Sequence, residues 1–213
     1  MSLQVCEIFF SLQGESTRAG MPCAFVRLTG CNLHCRWCDT RYAWDEGRPE
    51  SIEQILRHVR AFRPRRVEVT GGEPLIQGET LALLKALCDE GYETLLETNG
   101  SLDILPVDRR VIRIMDVKCP SSGCHEHNRW DNIPALTARD EVKFVIATAE
   151  DYAFARRTVA SHHLLGKCPV IFSPAAPALA AEHLAQWILS DRLDVRLGLQ
   201  LHKIIWPGRD RGV

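Results

Sequence analysis

Apolar and polar positions alternate along the chain in two ways. Short runs rich in β-branched and aliphatic residues recur, and stretches with the spacing of an amphipathic helix separate them. Strands are expected at 24–29, 66–70, 94–97, 111–117, 141–146, 170–172 and 195–199. Ser51 reads as the N-cap of a helix whose apolar side carries Ile52, Ile55, Leu56 and Val59, and Leu81, Leu83, Leu84 and Leu87 mark a second. Two more are expected at 153–159 and 179–189. Repeated βα units of this kind predict an α/β fold of mainly parallel strands, either doubly wound or an incomplete barrel. In both, ligands bind at the carboxyl ends of the strands.

The residues at those ends are polar. They include Thr70-Gly71-Gly72-Glu73, Glu97-Thr98-Asn99-Gly100, Asp116-Val117-Lys118, Lys143, Ser173-Pro174 and Gln200-Leu201-His202-Lys203. One such site is ordinary turn chemistry; several together predict the rim of an active site. No Pro/Gly/Ser-rich linker divides the 213 residues, so a single domain over 1–213 is expected. Lys plus Arg (26) nearly balances Asp plus Glu (27), which argues against a nucleic-acid or membrane-surface partner and for a small ligand. No long apolar run and no basic leader are present, and a cytoplasmic protein is expected.

Nine cysteines make an odd number in a chain large enough to fold without staples, so reduced thiols are expected. Three of them, Cys31, Cys35 and Cys38, form a C-x3-C-x2-C triplet in the loop after the first expected strand. Structural zinc takes four protein ligands, commonly two C-x2-C pairs, and His34 is the nearby fourth donor that a zinc module would need. An iron–sulfur cubane held by three thiolates instead leaves one iron open to a ligand that is not protein. Cys6, Cys23, Cys88 and Cys168 read as buried or incidental thiols, and Cys119 with Cys124 supplies too few ligands for a second metal.

The triplet, with Trp37 before its last cysteine, resembles the signature of radical S-adenosylmethionine (SAM) enzymes, and Gly71-Gly72-Glu73-Pro74 resembles their GGEP motif. Glu7 to Ser16, Cys38-Asp39-Thr40, Glu97-Thr98-Asn99-Gly100, Asp116 to Gly123 and Gln200 to Lys203 narrow the resemblance to the 7-carboxy-7-deazaguanine synthase family. It covers essentially the whole chain. It implies a modified, incomplete (β/α) barrel, a 4Fe-4S cluster, SAM and Mg2+. It also implies a lyase that turns 6-carboxy-5,6,7,8-tetrahydropterin into 7-carboxy-7-deazaguanine and ammonia, on the route to queuosine. An adenosyl radical would abstract hydrogen and the ring would contract.

Matched to the family's motifs, Cys31, Cys35 and Cys38 would hold the cluster and Thr40 the Mg2+. Trp37, Cys38, Asp39, Gly72, Asp116, Val117, Lys118, Ser173 and Pro174 would surround SAM. Leu12, Gln13, Gly14, Arg27, Thr70, Glu97 and His202 would contact the pterin. A guanidinium at Arg27 suits a substrate carboxylate, and Glu97 suits amino and N–H donors. Arg27 and Glu97 have simpler readings too, as an outward-facing charge and a strand end. Lys143 has no assigned step and either lines the barrel or faces solvent, and the resemblance gives 208–213 no role. A flavodoxin-like or ferredoxin-like electron donor and a homodimer are implied as partners. An activase for a glycyl-radical enzyme shares the triplet and GGEP, and a zinc-binding module is the alternative without catalysis.

Overall fold

The computed structural model describes residues 2–213. Its centre is a nine-stranded sheet in the order β3-β1-β2-β4-β5-β6-β7-β8-β9. The strands are β1 (Ser2–Leu12), β2 (Pro22–Leu28), β3 (Arg48–Ser51), β4 (Arg66–Gly71), β5 (Glu93–Thr98), β6 (Ile112–Val117), β7 (Glu141–Ile146), β8 (Val170–Pro174) and β9 (Arg196–Leu197). From β2 to β9 neighbouring strands are parallel, while β1 pairs antiparallel with both β2 and β3. The sheet stays open, as the expected incomplete barrel requires.

Two strands escape the sequence pattern for identifiable reasons. In β1 the register against β2 shifts between Val5 and Glu7, so the period-two signal breaks midway. The four residues of β3 include Pro49, which an edge position tolerates.

Four helices pack outside the sheet: α1 (Ile52–Phe62), α2 (Thr80–Asp89), α3 (Ala149–Ser161) and α4 (Ala181–Ser190). The α1 start is a capping box, with Ser51 and Gln54 each accepting from the other's backbone N–H. Ile55, Leu56 and Val59 of α1 and Leu83, Leu84 and Leu87 of α2 cover Val26, Val67, Val69 and Leu96. A second core joins Val142, Phe144, Val170 and Phe172 to α3 and α4, with the Phe144 and Phe172 rings edge to face at 5.5 Å. A fifth, short helix, α5 (Leu201–Ile205), occupies the segment expected as the end of a late strand.

Because strand side chains alternate, the residues between those core positions point inward. Near the amino ends the inner face is apolar, with Phe9 stacked on Phe25 at 4.9 Å and Leu95, Ile112 and Ile114 clustered. Towards the carboxyl ends it carries Arg27, Glu68, Thr70, Glu97, Asp116 and Lys143. The loop 13–21 ties to the amino ends of β5 and β7. Thr17 donates its backbone N–H to Glu141 Oε2 (2.9 Å), and Arg18 donates to Glu141 Oε1 (2.7 Å) and Glu93 Oε1 (3.0 Å). The same loop sends Gln13 and Glu15 into the interior.

Candidate active site

The inner face and the loop between β2 and β3 enclose a cavity of about 460 Å3. Cys31, Cys35 and Cys38 all line it. Their loop is fixed by the turn after β4. Glu73 donates its N–H to Gly30 O at 2.8 Å, and Gly72 donates to Leu28 O at 3.2 Å. A Cβ on Gly72 would come within 2.1 Å of Gly30 O, so only glycine permits this approach of backbone to backbone. Gly30 has φ +95°, the left-handed region that favours glycine.

Glu73 is fully buried and orders the framework. It accepts from Leu75 N (3.0 Å), Thr98 Oγ1 (2.9 Å) and Asn99 N (2.6 Å), joining the turns after β4 and β5. Asn99 in turn donates to Asn32 Oδ1 at 3.0 Å. The cysteine loop is thereby held by two strand ends.

Burial pushes the Cys35 thiol up to about 12, against the opposing charge of Lys118. Lys118 itself bonds Asp116 Oδ2 at 3.0 Å, and although burial opposes its charge, the Asp116 carboxylate beside it holds its pKa above the usual lysine range. Thr40 Oγ1 lies 3.7 Å from Cys38 Sγ. Asp39 faces Lys203 on α5 at 2.8 Å; burial opposes its ionisation, but that ammonium lowers its pKa below the usual range.

A charged cluster centred on Lys143 fills the middle of the site. Its ammonium bonds Glu15 Oε2 at 2.6 Å and Glu97, and lies 3.7 Å from Asp116 Oδ2. Burial works against that charge, yet Glu15, Glu97 and Asp116 outweigh it and hold the lysine pKa well above normal. Glu97, also bonded by Thr70 Oγ1 at 3.0 Å, is pushed upward by burial but pulled further down by Lys143. Glu68 accepts from Gln13 and has no such cation in contact. Burial and then the Glu97 charge raise its pKa well above the usual value.

A raised carboxyl pKa in the folded state means stability that is complete below the ordinary carboxylate pKa and is lost as pH rises through the folded value. Glu68→Gln removes that loss. Thermal melts should therefore show the variant losing less stability than the parent between mildly acidic and alkaline buffer; an unchanged pH profile would contradict the assignment.

The cavity gathers nearly all the sequence-predicted residues: Leu12, Gln13, Gly14, Arg27, Trp37, Cys38, Asp39, Thr40, Thr70, Gly72, Glu97, Asp116, Lys118 and His202. Three others, Val117, Ser173 and Pro174, lie outside its lining. The Val117 side chain packs in the outer core, because it follows Asp116 on a strand and must face the other way. Ser173 and Pro174 stand back from the wall, which Ala175 and Ala176 form at that strand end, and Ser173 Oγ is instead directed at Gly198. His202, expected just past a strand, lies at the start of the short α5; its ring packs on Gly14, and burial lowers its pKa. The sequence assigns no contact to Glu15, Glu68 or Lys143, although Lys143 stands among the rim residues and Glu15 lies within the Glu7–Ser16 motif. Inward strand parity is the signal for Glu68 and Lys143.

The Radical SAM superfamily model matches residues 25–121. The 7-carboxy-7-deazaguanine synthase of Chlorobaculum tepidum is 51% identical over 214 residues, which cover 99% of this chain and 97% of that one. This chain belongs to the 7-carboxy-7-deazaguanine synthase family. The synthase of Koribacter versatilis is 46% identical, covering 99% of this chain and all of its own. The crystal structure of QueE from Escherichia coli has the same fold, with a TM-score of 0.79 and 22% identity over 94% of each chain.

A member of the 7-carboxy-7-deazaguanine synthase family is a radical SAM enzyme, with a 4Fe-4S cluster and SAM as its cofactors. The site fits that pair. Cys31, Cys35 and Cys38 are three soft donors on one cavity wall, and the Asp116/Lys118 strand end and the Gly72 turn lie on the same cavity. The zinc-module alternative falls with family membership.

Proposed function

We propose that this enzyme converts 6-carboxy-5,6,7,8-tetrahydropterin into 7-carboxy-7-deazaguanine and ammonia, a step towards queuosine. The observation that carries the reading is one cavity that joins the three cysteines to a set of pterin-matching groups: Gln13, Arg27, Thr70 and Glu97. When bound, the cluster and SAM supply the hydrogen-abstracting chemistry. The chain's own residues bind, orient and exclude water.

In this reading Cys31, Cys35 and Cys38 hold the cluster, while Trp37, Cys38, Asp39, Gly72, Asp116 and Lys118 surround SAM. The Val117 backbone and the Ser173-Pro174 turn, followed by the cavity-lining Ala175 and Ala176, belong to the same surroundings. Arg27 meets the substrate carboxylate. Among the described residues its one hydrogen bond is from Nε to Glu7 Oε1 at 2.8 Å, which leaves the outer guanidinium nitrogens for a ligand. The carboxylate of Glu97 accepts from the amino and ring N–H groups of the pterin, with Thr70 and Lys143 fixing its rotamer. Leu12, Gln13 and Gly14 line the same cavity, with His202 against Gly14. Thr40 is a hard oxygen donor suited to Mg2+. A flavodoxin-like or ferredoxin-like reductant, a homodimer and a cytoplasmic setting belong to the same reading. Among the described residues no helix is long and apolar enough to cross a membrane.

Anaerobic turnover of the reconstituted protein tests it. With the carboxytetrahydropterin, SAM, Mg2+ and a reductant, mass spectrometry should show 7-carboxy-7-deazaguanine and ammonia. Cleavage of SAM with the pterin untouched would overturn the substrate reading and bring the activase alternative forward.

A further inference from the structure

Residues 208–213 fold back over the cavity, and Gly208, Arg209, Asp210 and Val213 line its wall. Arg211 does not; it faces outward and fastens the segment. Its guanidinium donates to both oxygens of Glu46, at 2.8 and 2.7 Å, and lies 4.2 Å from the centre of the Tyr42 ring. Tyr42 and Glu46 belong to the loop that carries the cysteines. The Tyr42 hydroxyl donates to Glu7 Oε1 at 2.8 Å and lies 3.1 Å from Asp210 O, and the backbone N–H of Gly212 donates to Glu7 Oε2 at 3.2 Å.

Glu7 is thus shared. The oxygen that receives Tyr42 also receives Arg27 Nε, and the Arg27 guanidinium lies 5.9 Å from the Tyr42 ring. Docking of 208–213 therefore bears on the orientation of Arg27 through one carboxylate and one ring. We propose that Arg211 is a positioning residue for substrate binding: it latches 208–213 onto the cysteine loop, closes that side of the pterin pocket and fixes Arg27 through Tyr42 and Glu7. This rests on the reading of Arg27 as the group that meets the substrate carboxylate.

Arg211→Ala should raise KM for the pterin about three- to tenfold, the scale of a lost cation–π contact with an exposed bidentate pair, and leave kcat within about twofold. KM for SAM should not move. The exchange Arg211→Glu with Glu46→Arg, which restores the ion pair but not the cation over the Tyr42 ring, should recover part of the loss, whereas Glu46→Arg alone should recover none. An unchanged pterin KM in Arg211→Ala, or a double variant that melts like the parent yet recovers nothing, would overturn the latch. Hydrogen exchange read without substrate separates this from the substrate assignment: Arg211→Ala should speed exchange in peptides spanning 206–213 and 41–46. If the parent does not convert the pterin, the proposed reaction fails and exchange alone decides the latch, with unaltered protection refuting it.

Discussion

Cys35→Ala is expected to abolish reductive cleavage of SAM and to leave reconstituted protein without the visible absorbance of a 4Fe-4S cluster. Three thiolates on one loop are the whole protein contribution to the cluster in this family, so losing one removes a third of its anchorage. The loop itself should survive. Its frame is made by Glu73 N to Gly30 O, Gly72 N to Leu28 O and Arg36 N to Ser122 O, none of which uses the Cys35 thiol. Melting temperature should therefore stay near that of the parent while iron content falls. Cys168→Ala, at a buried thiol beside Val170, serves as the matched control and should keep the cluster. Equal iron in the two variants would refute the ligand assignment.

Lys143→Met is expected to lose pterin turnover by more than an order of magnitude and to destabilise the fold. The lysine side chain is 5% exposed and neutralises Glu15 and Glu97, with Asp116 close behind. Removing one partner of a buried ion pair typically costs about 3–5 kcal/mol, because the remaining charge is left desolvated and unpaired. The pH dependence has a definite sign. Glu97 is held below its ordinary pKa by Lys143, so its contribution is present above the usual carboxylate range and is lost as pH falls through the folded value. The gap in melting temperature between parent and Lys143→Met should thus be widest near neutrality and shrink in acid. Lys143→Arg, which keeps the charge, should retain more stability than Lys143→Met. A pH-independent gap would show that packing, and not charge, accounts for the loss.

The parts of this molecule legible in its sequence are those whose signal is local. Period-two alternation marks β4 to β8 because helices cover their outer faces, and the cysteine triplet and the Gly71-Gly72 turn are compact strings. What was illegible depends on residues far apart in the chain. Lys143 meets Glu15 across 128 positions and Glu97 across 46, so neither its neutralisation nor its place at the centre of the site is written beside it. The broken register of β1 hid a strand that lies second from the sheet edge. A five-residue helix such as α5 is too short to show periodicity, so the segment holding His202 reads only as the polar end after a strand. At the Asp116-Val117-Lys118 strand end, motif matching takes three residues, and strand alternation turns the side chains of only the first and third into the cavity.

The contacts across the loop 13–21, α5 and 208–213 also set an order in time. Gln200 reaches Glu15 across 185 positions, and Gly212 reaches Glu7 across 205. During synthesis β1 and the loop 13–21 precede the residues they meet there, so the wall that α5 and 208–213 build cannot form until 200–213 have been made. Until those residues are in place, the cavity of Cys31, Cys35 and Cys38 lacks the wall that α5 and 208–213 supply.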